Sequence, residues 1–148
     1  MEKWEKKKPN YCDHIRVFRG LYYHHGLYLD DNNIVNFRGS ANDDVLNPEL
    51  AMVRLSTLDE FLNGGSCEVR IYTCDELNKM RPKNEIANYA LSRLGEKGYN
   101  ILTNNCEHFV NSCVFNVAYS HQVDQAKAIV DSLIKGGNYA RNKKSEPK

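Results

Sequence analysis

The segment Asn104-Asn105-Cys106-Glu107-His108-Phe109-Val110-Asn111 puts a thiol where a helix is expected to begin, and the upstream run Tyr22-Tyr23-His24-His25-Gly26-Leu27-Tyr28-Leu29 offers two adjacent histidines. A thiolate with an imidazole to manage its proton is the pairing that attacks ester and amide carbonyls. From Cys106 the apolar positions Phe109, Val110 and Cys113 recur at helical spacing, and Thr103-Asn104-Asn105 supplies side chains suited to capping the first turn. Cys106 is therefore expected in that turn, where the helix dipole and unpaired amides favour the thiolate.

The base must come from a distant part of the chain, which is no obstacle because the two groups need only meet in the fold. The period of two along a strand sends His24 and His25 to opposite faces, so one of them can serve. Asp30-Asp31-Asn32-Asn33 then forms a turn, and Ile34-Val35-Asn36-Phe37 returns as the second arm of an antiparallel hairpin. That pairing puts Asn36 opposite His24 or diagonal to it. The reading is a Cys-His-Asn arrangement of the kind papain-like proteases use, with Cys106 as nucleophile, His24 as base and Asn36 orienting the ring.

The His24-to-Leu29 block, the Asn-Cys-Glu-His-Phe block at 105–109 and the run from Leu94 to Leu102 before it resemble the lecithin:retinol acyltransferase family, over roughly residues 11–122. The resemblance implies an α+β, circularly permuted papain-like fold, in which the histidine strand precedes the cysteine helix. It also implies an acyl-thioester on Cys106, His24 as general base, and a backbone amide at Tyr22 helping to form the oxyanion hole. The substrate it implies is a glycerophospholipid ester, making the chain an acyltransferase or phospholipase. One position departs from the pattern: Asn36 stands where the family usually has a second histidine. An amide can position an imidazole but cannot share its charge. A papain-like peptidase or amidase, and an interaction module without activity, are the alternative readings.

Plainer roles are expected for the neighbouring residues. Free cysteine is usually buried, which suits Cys113. His25 belongs to packing, and His108, two residues beyond Cys106 and across the helix, is a structural residue. Neither a Cys-x-x-Cys nor a His-x-x-x-His pair occurs, so zinc is not expected, and no glycine-rich phosphate loop opens a helix. No cofactor is implied.

Twenty basic and nineteen acidic residues nearly cancel, which argues against nucleic acid as a partner. The five cysteines, odd in number, fit free thiols in a reducing cytoplasm. No segment has the roughly 20 apolar residues of a membrane span, and the amino terminus lacks a secretory signal. Membrane contact is thus expected to be peripheral at most. Trp4 among lysines offers one contact for an anionic surface, against the plainer reading of a frayed, solvated terminus.

These residues need a frame, and 148 residues suffice for one domain, with a core over about 11–135 and a polar tail at 138–148. Strands are expected at Asp13–Phe18, at Tyr22–Leu29 with its hairpin partner, and at Val69–Thr73. A short helix with a capping-box signature should run from Ser56 and Thr57 to Gly64. Pro82 should open a helix whose stripe is Ile86, Ala87, Ala90, Leu91 and Leu94, ended by Gly95. A last helix is expected to carry Val123, Ala126, Ile129, Val130, Leu133 and Ile134.

Overall fold

The computed structural model describes residues 2–39, 50–98 and 105–115. The expected Tyr99-to-Leu102 run, the capping residues Thr103 and Asn104, the helix over Val123–Ile134 and the polar tail lie outside them.

The architecture is mixed α+β. Among the described residues, six strands, β1 (Lys3–Lys6), β2 (Asp13–Phe18), β3 (Tyr23–Asp30), β4 (Asn33–Arg38), β5 (Met52–Ser56) and β6 (Glu68–Ile71), form one sheet in the order β1-β6-β2-β3-β4-β5. Every adjacent pair is antiparallel. Two strands were not foreseen. β1 is the lysine-rich amino terminus, which pairs with β6 instead of fraying, and β5 continues the sheet beyond β4.

Central strand β3 is buried from His24 to Tyr28 because both of its faces are covered. On one side Leu27, Val35, Phe37 and Val53 pack against α3 (Lys83–Ser92) and α4 (Cys106–Phe115), which contribute Ile86, Ala87, Ala90, Phe109, Val110, Cys113 and Val114. On the other, Ile15, Val17, Tyr28, Ile34 and Val69 gather around Phe61 of α1 (Leu58–Leu62). The β3–β4 turn is tighter than expected: Asp30 pairs with Asn33, and a bulge between Tyr28 and Asp30 absorbs the offset. Tyr28 donates to Asp31 at 2.5 Å and Asn33 to Asp30 at 3.0 Å, so the turn's own side chains fix it.

Local chemistry explains the helix ends. Thr57 and Glu60 form a reciprocal capping box, and α1 ends with Asn63 in the left-handed region. The expected Val69–Thr73 strand stops at Ile71, because Thr73 and Glu76 make a second capping box that opens α2 (Cys74–Lys79). Pro82 precedes α3 as its N-cap rather than filling its first turn, and the helix stops at Ser92. Leu91 and Leu94 are accordingly exposed and do not join the stripe. Beyond α3 the chain returns to β5, where Gly95 N–H donates to Val53 O at 2.8 Å and Val53 N–H to Glu96 O at 3.0 Å.

Candidate active site

Asn105 is the N-cap of α4. Its side-chain oxygen accepts from His108 N–H at 2.9 Å, and its carbonyl accepts from Phe109 N–H at 2.9 Å. Cys106 is therefore the first helical residue, as the spacing predicts, and it is buried. Its thiol points at the carbonyl of Tyr23, with Sγ at 4.0 Å, the outer limit of a sulfur hydrogen bond. Tyr23 is the first residue of β3 and precedes His24, so the thiol meets the strand that carries the candidate base; the His24 ring itself lies on the α1 face of the sheet with Phe61, whereas Cys106 joins the core on the α4 face with Leu27 and Val35.

The β3–β4 ladder is registered through Leu27↔Val35, Tyr28↔Ile34 and Asp30↔Asn33, whereas Asn36, Phe37 and Arg38 pair onward with Arg54, Val53 and Met52 of β5. The amino-terminal end of α4 approaches β3 at its Tyr23 end.

His24 and Asn36 meet as the hairpin reading predicts, with Nε2 to Oδ1 at 3.0 Å and both side chains buried. The amide orientation is fixed from behind. Asn36 Nδ2 donates to Ser56 Oγ at 3.0 Å, Ile34 O at 3.1 Å and Arg54 O at 3.3 Å, so the acceptor oxygen must face the imidazole. An acceptor at that point requires the N–H at Nε2. In the neutral ring, Nδ1 is then the basic nitrogen. Phe61 packs on the same imidazole with ring centroids 5.0 Å apart. Gly26 allows this approach: a Cβ there would lie 2.6 Å from Phe61 Cε1 and 2.8 Å from Ile34 Cγ2.

Sequence reasoning did not find Ser56 or Phe61 as supports of the histidine. The capping signature around Thr57 hid the strand that ends at Ser56, and Phe61 carries no local signal that ties it to His24.

Tyr22 precedes β3, and its carbonyl accepts from Arg19 N–H at 2.8 Å, which closes the β2–β3 turn beside Tyr23. His25 points to the other face from His24. It is buried, with Nδ1 2.8 Å from His14 Nε2, and the edge of Trp4 meets both rings. Both histidines are held well below the ordinary imidazole range, first by burial and then by neighbouring positive charge from histidine, Arg16 and Arg70. Arg70 ties this layer to α4, donating to Asn111 at 2.9 Å and to Glu76 at 2.7 Å. Among the described residues, no three His, Cys, Asp or Glu side chains are grouped to hold a metal ion, and no helix is long and apolar enough to cross a membrane.

Burial pushes Cys113 up to about 12, Cys67 up to about 11, and Cys12 upward too, whereas Cys74 is exposed.

Comparison with known proteins agrees with the motif. A family model described as lecithin retinol acyltransferase matches residues 7–119. The chain is 28% identical over 144 residues to lecithin retinol acyltransferase of Rattus norvegicus, covering 83% of this chain and 62% of that protein. It is 29% identical over 133 residues to phospholipase A and acyltransferase 4 of Homo sapiens, covering 84% and 80%. Human phospholipase A and acyltransferase 1 is 28% identical over 128 residues, covering 80% and 75%. The chain spans about three fifths of the length of the lecithin retinol acyltransferases it matches. With more than half of its length under the family model and the histidine and Asn-Cys blocks in the family's order, the chain belongs to the lecithin retinol acyltransferase family.

Proposed function

We propose that the protein is a thiol-dependent acyltransferase or phospholipase acting on glycerophospholipid esters, built as one catalytic domain with a circularly permuted papain-like arrangement. One observation carries this reading: Cys106 opens a capped helix against the peptide preceding His24, and Asn36 binds the Nε2 side of that histidine. The names of the relatives, which include both phospholipase A and acyltransferase, support the same chemistry.

In the proposed reaction His24 Nδ1 takes the thiol proton, and the thiolate attacks the ester carbonyl. Negative charge collects on the carbonyl oxygen, where the backbone amides of Tyr22 and Cys106 serve as donors; such a donor contributes about 3–4 kcal/mol in other acyl-transfer enzymes. The imidazolium then protonates the departing lysophospholipid oxygen as the carbon–oxygen bond breaks, leaving a thioester on Cys106. Water as second nucleophile releases a fatty acid, whereas an amine or alcohol receives the acyl group. Asn36 holds the ring in one tautomer throughout, without taking a proton itself.

Incubation with acyl-radiolabelled phosphatidylcholine is the test. The wild type should acquire a hydroxylamine-sensitive label that is absent from Cys106→Ser. An unlabelled wild type that cleaves peptide amides would move the protein to the peptidase class, and one inert toward both would make it an interaction module.

A further inference from the structure

The end of the sheet nearest Cys106 carries exposed apolar side chains, Phe18 and Leu21, that the reaction does not use. The β2–β3 turn presents Leu21 at 96% exposure and Phe18 at 55%, although large apolar side chains elsewhere in the sheet are mostly covered. Behind them the rings form a continuous ladder. Phe18 lies 5.2 Å from Tyr23 between ring centroids, and the Arg16 guanidinium sits between Tyr23 at 3.8 Å and Trp4 at 4.2 Å. Arg16 is paired with Glu68 at 2.9 Å, and Arg19 in the turn bonds the carbonyls of Phe61 and Leu62; Lys6, Lys7 and Lys8 add three consecutive exposed positive charges. Lys6 faces Glu68, which faces Arg16, which faces His25, so the lysines begin in the row that crosses the sheet beside the turn.

The order from the tip inward is aliphatic and phenyl, then tyrosine and tryptophan around a guanidinium, then lysine. It matches the layers of a lipid surface, where acyl chains give way to the interfacial zone and then to anionic headgroups. We propose that the Phe18–Tyr23 turn and Lys6–Lys8 together dock the protein on the surface of an anionic bilayer. Trp4 is then a fixed part of the platform, held in β1 with Arg16 over its ring and His14 and His25 in edge contact. This inference rests on the phospholipid reading above: the carbonyl that meets the Cys106 thiol belongs to Tyr23 of the same ladder, so docking here brings an ester in the membrane to the nucleophile by the shortest path.

The experiment is co-sedimentation of the full chain with phosphatidylcholine vesicles, with and without phosphatidylserine. Wild type should bind the mixed vesicles more tightly than the neutral ones. Leu21→Ser should weaken binding about tenfold or more, from the lost burial of one aliphatic side chain. Replacing Lys6, Lys7 and Lys8 together by Gln should abolish the preference for phosphatidylserine, at about fivefold per lysine. Leu21 lies in a solvent-facing turn, so its replacement leaves the fold intact, and turnover of a water-soluble short-chain phosphatidylcholine should match wild type. Equal vesicle binding by wild type and Leu21→Ser overturns the proposal, as does self-association that Leu21→Ser abolishes, which would make the tip a contact with a second copy. Cys106→Ser should bind vesicles like wild type. Docking without a Cys106 label would therefore overturn the catalytic reading alone, and a label without docking would overturn this inference alone.

Discussion

Asn36 Oδ1 stands 3.0 Å from His24 Nε2 while the nitrogen of the same amide is held by Ser56 Oγ and two backbone carbonyls. Turning the amide over would set N–H groups against the imidazole and an oxygen against carbonyls, so the surroundings select one orientation. Removing the orienting bond by Asn36→Leu should lower kcat by about tenfold to a hundredfold, the equivalent of one hydrogen bond worth about 1–3 kcal/mol. Asn36→His should retain most activity and add a titrating group to the pH–rate profile. Ser56→Ala should cost less than Asn36→Leu. An Asn36→Leu enzyme as fast as wild type would remove Asn36 from the site.

Alkylation should single out one sulfur. At pH 6, iodoacetamide should modify Cys106 about tenfold faster than Cys12, Cys67 or Cys113, whose thiols burial keeps protonated. Peptide mapping by mass spectrometry reads the sites, with exposed Cys74 as the internal reference. In His24→Ala the advantage of Cys106 should vanish; if it persists, His24 is not its base.

Acid should destabilise the fold through His14 and His25. Both are held neutral when native, whereas the unfolded chain protonates them near pH 6.5. Below that pH the unfolded state binds more protons, so stability falls with acidity by up to about 1.4 kcal/mol per pH unit for each histidine, until the native values are reached. Urea unfolding from pH 7.5 to 5 should show this slope, and His14→Gln should reduce it. An unchanged slope would mean that the pair does not titrate as described.

Gly26→Ala should cost about 1–3 kcal/mol, because its methyl group would collide with Phe61 and Ile34. Phe61 is also the ring that packs on His24, so the same change should depress activity beyond its effect on stability. Activity measured well below the melting temperature separates the two. Unchanged stability would mean that α1 shifts freely, leaving Phe61 no part in fixing the imidazole.

Much of this arrangement was legible in the residues. The β3–β4 hairpin, the start of α4 at Cys106 and the meeting of His24 with Asn36 follow from strand alternation, turn-forming residues and helix spacing, which are all local. What escaped depended on distant partners. The Lys3–Lys6 strand has no apolar alternation and exists because β6 offers it an edge. β5 follows a segment with no strand signal, and its last residue, Ser56, reads as a cap until the sheet places it behind Asn36. The expected strand to Thr73 overruns Ile71 because Thr73-x-x-Glu76 is a second capping box, which opens a helix where residue alternation alone continues the strand.

The flanks of the sheet differ in how they end, and this limits what the protein can join. At β5 both backbone groups of Val53 are already engaged by Gly95 and Glu96, so an incoming peptide finds no ladder to extend there. At β1 the exposed Lys3, Glu5 and Lys6 place charge along the rim, which discourages stacking of one chain on another. Growth into fibrils by edge-to-edge addition is thus opposed at each margin, by occupied amides on one and by repelling side chains on the other.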